Sequence, residues 1–483
     1  MIPFAAFEPD KSPFNVISGD TLQDVLPVAD GWGPLPDLTE VSGALPGECL
    51  GAIAIQDSSN TTSIFAGTET NLYQLNTSTS PFSWDEKSKT TDVYAVPTGD
   101  RWSFVLFGNS LIASQLGNPM QSKDITGSGN FADLAGSPPN AKHIWISGDF
   151  LVAGWLTNDN NTIQWSALND PTSWITNKRG SGKQTFPDGG GVMAGIGDAT
   201  GSIIVFRDKI RRMQFAPTSG YTFTFQDISS NRGAIAPYSV VEIGPNDFVF
   251  LAKDGFYRGV QGQPIGAERV NKWFYDELDA AYVYDVRGVA DPFNKVVWWR
   301  FRKVNGEGVL IGYDWQLDRW CYSSQDTQHA FSSVVQATSW DGLDNDYPTI
   351  DDVNVPFDSR LFKGGAPTFA AFTTDSKLAY FTGANRQAVL RTAQVEQSPG
   401  NRTLVNGARA VTDSTNFTGR VGALDHHGDM VDWSASTSLT TRSQMLDFRT
   451  DGRLHIFEIT IPAGEVWTIA TGVRPDAVVT GEL

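Results

Sequence analysis

Few residue groups in this chain have the types and spacing that chemistry requires. Arg179-Gly180-Ser181-Gly182-Lys183 has the look of a phosphate-binding loop. Such a loop needs a glycine five positions before its last glycine and a Ser or Thr after the lysine. Asn177 and Gln184 stand there instead, so the segment reads as a turn. The five histidines are His143, His329, His426, His427 and His455, and no pair has the i, i+4 spacing and neighbouring Glu of a hydrolytic zinc site. His426-His427 lies between Asp425 and Gly428, the composition of an exposed turn. Asp341, Asp344, Asp346, Asp351, Asp352 and Asp358 are rich in oxygen ligands. They lack the fixed glycine and bidentate glutamate of a calcium loop and read as a solvated acidic insertion. Glycan cleavage requires two opposed carboxylates across one cleft, and the sequence singles out no such pair. These patterns assign no catalytic residue, no metal and no cofactor.

One basic concentration stands out, Phe206-Arg207-Asp208-Lys209-Ile210-Arg211-Arg212. Read as one strand, it places Arg207, Lys209 and Arg211 on one side. They form a candidate contact for DNA or a partner, against the plainer reading of a solvated face with salt bridges. Trp298-Trp299 and Asp314-Trp315-Gln316-Leu317-Asp318-Arg319-Trp320 could stack sugars or bases, but such aromatics more often fill the space between sheets.

The elements that position these residues read as strands. The 483 residues are long enough for roughly three domains or one large repeat array. Only 19% are charged, and 47 Gly, 25 Pro and 15 Trp favour short strands and tight turns over helix bundles. Apolar strands recur around Phe65, Leu106, Val152, Val205, Phe250 and Trp298, in steps of 41 to 53 residues. That period with strand signals alone predicts a β-propeller of four-stranded blades. The six marks and a further pair at Leu378–Phe381 and Ala388–Leu390 allow six or seven blades. Before them, residues 1–49 form a Pro-rich extended arm whose Phe4, Phe7, Phe14, Val25, Leu26 and Trp32 need burial. The expected organisation is all-β: arm 1–49, propeller 50–390 with an acidic insertion around 325–367, and a C-terminal β domain or ring-closing strands at 391–483. In the last, Leu454–Phe457 and Val466–Ile469 are the clearest strands. Val270, Trp273, Phe274 and Leu278 mark one short amphipathic helix.

The net charge of −18 argues against a dedicated nucleic-acid binder, which needs a basic footprint. Cys49 and Cys321 are too few for a disulfide framework. Neither a secretory signal nor a membrane-spanning run is visible, so no membrane anchor is expected.

The opening, with Pro9-Asp10, Asp24-Val25-Leu26-Pro27 and Gly31-Trp32-Gly33-Pro34, resembles that of a phage tail family. So do Phe65-Ala66-Gly67-Thr68 with Leu72-Tyr73, the stretch from Gly342-Leu343-Asp344 to Gly364-Gly365, and the ending Ile461-Pro462-Ala463-Gly464-Glu465-Val466-Trp467. The family is the tail hub or nozzle protein of short-tailed bacteriophages, including packaged-DNA stabilisation proteins. The resemblance implies a non-enzymatic virion protein assembled in host cytoplasm, a propeller that forms a homo-hexamer below the portal and the head–tail adaptor. It further implies passage of double-stranded DNA without sequence specificity and docking of a tail fibre or tailspike. Rival readings are a glycan-binding or glycan-cleaving propeller and a cellular propeller scaffold.

Overall fold

The computed structural model describes residues 1–12, 18–19, 21–56, 62–217, 220–334, 367–440 and 442–481. The acidic run Asp341–Asp358 and Phe14 lie outside them. Short apolar strands broken by tight turns pair with their sequence neighbours, which builds antiparallel four-stranded sheets in succession. The first six occupy residues 51–86, 103–133, 141–185, 192–229, 241–264 and 287–323. A seventh contains His329–Val334, Pro367–Phe372 and Lys377–Asn385, and its fourth strand is Pro36–Ala44 from the arm. The first strand of each sheet faces inward, and His329–Val334 packs beside Gly51–Gln56, so the array closes on itself. This is a β-propeller, as the repeat predicted.

The arm thus crosses the predicted domain boundary. Tyr380 pairs with Thr39 and Lys377 with Ala44, while Ile2–Pro3, Leu22–Gln23, Val25–Val28 and Gly31–Pro34 join the C-terminal sheets. Those two sheets form a sandwich. One runs Leu446–Gly452, Arg402–Thr412, Ala470–Gly481, Gly31–Pro34, Val25–Val28. The other runs Asp432–Trp433, Thr418–Leu424, Leu454–Ile461, Ala388–Arg391, Leu22–Gln23. The expected hairpin between 378–381 and 388–390 does not form, because Ala388–Arg391 pairs with Leu454–Ile461 in the sandwich. Nor is Val466–Ile469 a strand. It is a loop held by the Asp413 carboxylate, which accepts from the backbone N–H of Thr468 and Ile469. The predicted insertion also begins late, since 329–334 is a strand.

Phe4, Phe7, Val25, Leu26 and Trp32 are all buried, each contributing about 1.5–3 kcal/mol of hydrophobic stabilisation, so the arm is docked at these described residues. Polar clasps fix its position. Asp10 accepts from the N–H groups of Lys272 and Trp273, both at 2.7 Å, at the start of the helix Asn271–Glu277. Its Phe274 is buried, and Val270 and Leu278 beside it are buried too, as the spacing predicted. Asp24 is 2% exposed with φ +56°, a conformation aspartate tolerates. Its carboxylate accepts from Ser323 Oγ (2.5 Å) and Ser324 Oγ (2.9 Å) and lies 3.2 Å from Arg386 Nε. One side chain thereby ties together the arm, the sixth sheet and the start of the sandwich.

Candidate functional site: the axial cavity

The basic run is folded differently from its sequence reading. Gly201–Phe206 and Ile210–Phe215 are separate strands, and Arg207 to Lys209 is the turn between them, closed by Phe206 N–H to the Lys209 carbonyl at 2.8 Å. Arg207, Lys209 and Arg211 therefore do not share one strand face. Arg211 is buried, its guanidinium 4.7 Å from the Phe186 ring centroid and 5.3 Å from that of Phe206. Asp188 and Asp227 each pair with both Lys209 and Arg211. Bonds from Lys209 and Arg211 hold the Asp188 carboxyl down to about 2. Arg207 is exposed.

Arg179 and Gly180 both have positive φ and form a turn leading into the strand Gly182–Thr185. His426 and His427 are exposed in a turn, and among the described residues no cluster of His, Cys, Asp and Glu could hold a metal ion. Trp298, Trp299 and Trp320 are buried. Trp299 Nε1 donates to the Ser239 carbonyl at 2.9 Å and its ring lies 4.7 Å from that of Phe256, filling the interface between fifth and sixth sheets. Cys49 and Cys321 are buried free thiols, and burial pushes Cys49 up to about 12.

The site that sequence reasoning missed is on the axis. A cavity of about 260 Å³ lies among the innermost strands and is lined by residues of the second to seventh sheets and the segments leading into them. Its charged lining residues are Arg101, Arg287 and Arg300; no carboxylate lines it, in a chain of net charge −18. His143, Tyr238, Thr327 and His329 supply further polar groups. Gly195 is part of the wall because a Cβ there would stand 2.1 Å from the Trp145 ring. The carboxylates sit behind the arginines. Asp285 meets Arg101 Nη2 at 3.0 Å, Arg287 Nη2 at 2.9 Å and Arg300 Nη1 at 3.1 Å, and Asp326 meets Arg300 at 3.2 Å. Beside them, Asp100 accepts from the Tyr238 hydroxyl at 2.9 Å and pairs with Lys142 at 3.6 Å.

The electrostatics follow from burial. Burial opposes the charge on Asp285, yet the guanidinium groups of Arg287 and Arg101 keep its carboxyl below the ordinary value. Burial, then the charge of Arg101, pulls Arg287 down to about 10. Burial, then Lys142, pulls His143 down to about 3, and burial with Arg101 and Arg287 pushes His329 well below the ordinary range. Both imidazoles are neutral at pH 7, so the positive charge in the cavity wall is that of the three arginines.

Each of these residues stands alone in sequence. A signal exists nonetheless: Arg101, Lys142-His143, Tyr238, Arg287 and His329 all fall within three residues of the start of an innermost strand. Superposing the repeat units on that start would have gathered them.

No protein-family model matches the chain, and no curated protein matches it. Solved structures similar to it include the computationally designed Ika8 protein (10% identity, 74% of this chain, 99% of that one, TM-score 0.37). BamB from Moraxella catarrhalis is 10% identical over 71% of this chain and 97% of its own, with a TM-score of 0.34. The extracellular domain of the putative hybrid two component system BT4673 from B. thetaiotaomicron is 12% identical over 83% of this chain and 47% of its own, with a TM-score of 0.33.

Proposed function

We propose that this chain is a structural subunit of a short-tailed phage tail, a hub or nozzle that assembles as a six-membered ring around the path of the exiting genome. The observation that carries the reading is the clasp. The residues that resemble the tail family at the N-terminus, Asp10, Asp24 and Trp32, are those that weld arm, propeller and sandwich into one body. Rigid parts with docked arms suit a role in mechanical assembly, and loops between rigid elements suit partner docking. The adaptor on one side, and a fibre or tailspike on another, are the partners of this reading.

The axial cavity itself cannot be the conduit. A space of about 260 Å³ does not admit a duplex whose major groove alone is about 12 Å wide. In this reading the genome path runs between subunits, and the excess of acidic residues favours sliding over sticking, because neutralised phosphates release counterions and hold. Any DNA or partner contact made by the basic turn falls chiefly to Arg207, since Lys209 and Arg211 are paired. Projection images of the purified protein, alone and with adaptor, test the reading. Six-fold rings with a central hole wide enough for a duplex are expected. A monomer that retains or shortens polysaccharide, and forms no ring on the adaptor, would overturn it.

A further inference from the structure

The axial cavity is built like a receptor for a small anion, and this is independent of whether the chain belongs to a tail. Three side chains in its wall combine deep burial with an unused polar atom. Arg101 is 7% exposed, His143 8% and Thr327 1%, and Arg101 Nη1, His143 Nε2 and Thr327 Oγ1 have no hydrogen-bond partner. His329 Nδ1 is unpartnered in the same wall. Buried polar groups are normally satisfied, and these four unpartnered ones belong to residues that line a single cavity.

The chemistry of the occupant follows from the wall. Arginine offers donors only, and its fork matches planar or tetrahedral oxyanions. Three arginines line the space, and the carboxylates Asp285 and Asp326 that partly balance them stand behind, where they orient the guanidinium groups instead of entering the cavity. The neutral imidazoles and the Thr327 hydroxyl can each donate or accept, which suits an anion carrying a hydroxyl of its own. Ligand pockets are commonly roughly 300–1,000 Å³, so this space, about 260 Å³, takes a small molecule and excludes a polymer.

We propose that the axial cavity binds one small oxyanion or hydroxy-carboxylate per chain, held by the Arg101, Thr327, His143 and His329 side chains that line it. Bound there, the anion ties the seventh sheet to the second and third across the axis.

The test is calorimetric titration of the full chain with phosphate, sulfate and citrate against chloride at matched ionic strength, with the unfolding midpoint followed in parallel. Saturable binding at one site per chain is expected for at least one of the three, with a midpoint that rises with the logarithm of its concentration. Arg101→Lys keeps a positive charge but loses the fork, and more than about tenfold weaker binding is expected, the equivalent of one charge-assisted bond. Thr327→Val keeps shape and burial, so it separates binding from folding, and a smaller weakening is expected with the midpoint in chloride unchanged. Lys209→Ala, on the outer turn, leaves affinity unchanged. Absence of saturation with all three anions would overturn the proposal. So would unchanged affinity in both Arg101→Lys and Thr327→Val, which would move the anion elsewhere and leave the cavity to water.

Discussion

Two arginine–carboxylate clusters in this protein invite comparison. The outer one, at the turn 207–209, is conspicuous in sequence and balanced in space: two carboxylates serve Lys209 and Arg211. The axial one is invisible in sequence and unbalanced in space. There Asp285 is shared by three arginines drawn from positions 101, 287 and 300, whereas an unpartnered guanidinium Nη1 is common to both clusters, on Arg101 and on Arg211. The outer carboxylates come from positions at or near the ends of neighbouring strands. At the axis Asp285, Arg287 and Arg300 belong to one hairpin and its lead-in, and Arg101 joins them from the segment leading into the second sheet.

The sharpest way to break the comparison is Asp285→Ala. It leaves three guanidinium groups facing one another in a partly buried setting, and about 3–5 kcal/mol of stability should be lost. A urea unfolding curve measures it; a midpoint unchanged from the parent would mean that water, not Asp285, carries the balance. Next in size is acidification. The folded histidines at the axis sit below the ordinary value of about 6.5, His143 at about 3, so the unfolded chain takes up protons first as pH falls. Their contribution is complete above pH ~6.5 and is lost progressively toward pH ~3, at up to about 1.4 kcal/mol per pH unit for each imidazole. Thermal midpoints measured from pH 7.5 to 4.5 should decline less steeply in His143→Gln than in the parent, and equal slopes would remove His143 from the account.

The outer cluster predicts the reverse. Asp188→Ala with Asp227→Ala should lower the midpoint less than Asp285→Ala, since Lys209 and both carboxylates are partly solvated, and should leave Lys209 and the more deeply placed Arg211 without carboxylate partners. The double variant should then retain DNA on a filter at low salt and release it as salt rises. No gain in retention would show that the two cations are unavailable even when freed. The smallest effect belongs to Arg207→Ala with Lys209→Ala, for which ring formation and DNA retention should both match the parent. A loss of either would restore the turn as a contact site.

The contrast also explains what was legible beforehand. The repeat of apolar strands, the burial of the arm's aromatics and the helix at Val270–Leu278 are local patterns, and local patterns survive in a string. The seventh sheet is not local. Thr39 meets Tyr380 across most of the chain, and nothing around Pro36–Ala44 names that partner. Val466–Ile469 misled for another reason: Trp467 is buried as a strand residue would be, but Asp413 satisfies its neighbours' N–H groups and makes strand pairing unnecessary. The axial residues were hidden because each is an ordinary Arg, His or Thr until six sheets bring them to one centre.

Borrowing the outer strand of the last sheet from residues 36–44 has a consequence for biosynthesis. These residues are translated long before their hydrogen-bonding partner, Lys377–Asn385. Until that partner is made, the segment has its contacts with the first sheet, where Gly43 N–H donates to the Phe82 carbonyl at 2.8 Å and Phe82 N–H to the Val41 carbonyl at 3.0 Å. Closure is then a single late event that locks start to finish. A bulky fusion placed ahead of Met1 would burden that event more than any step before it.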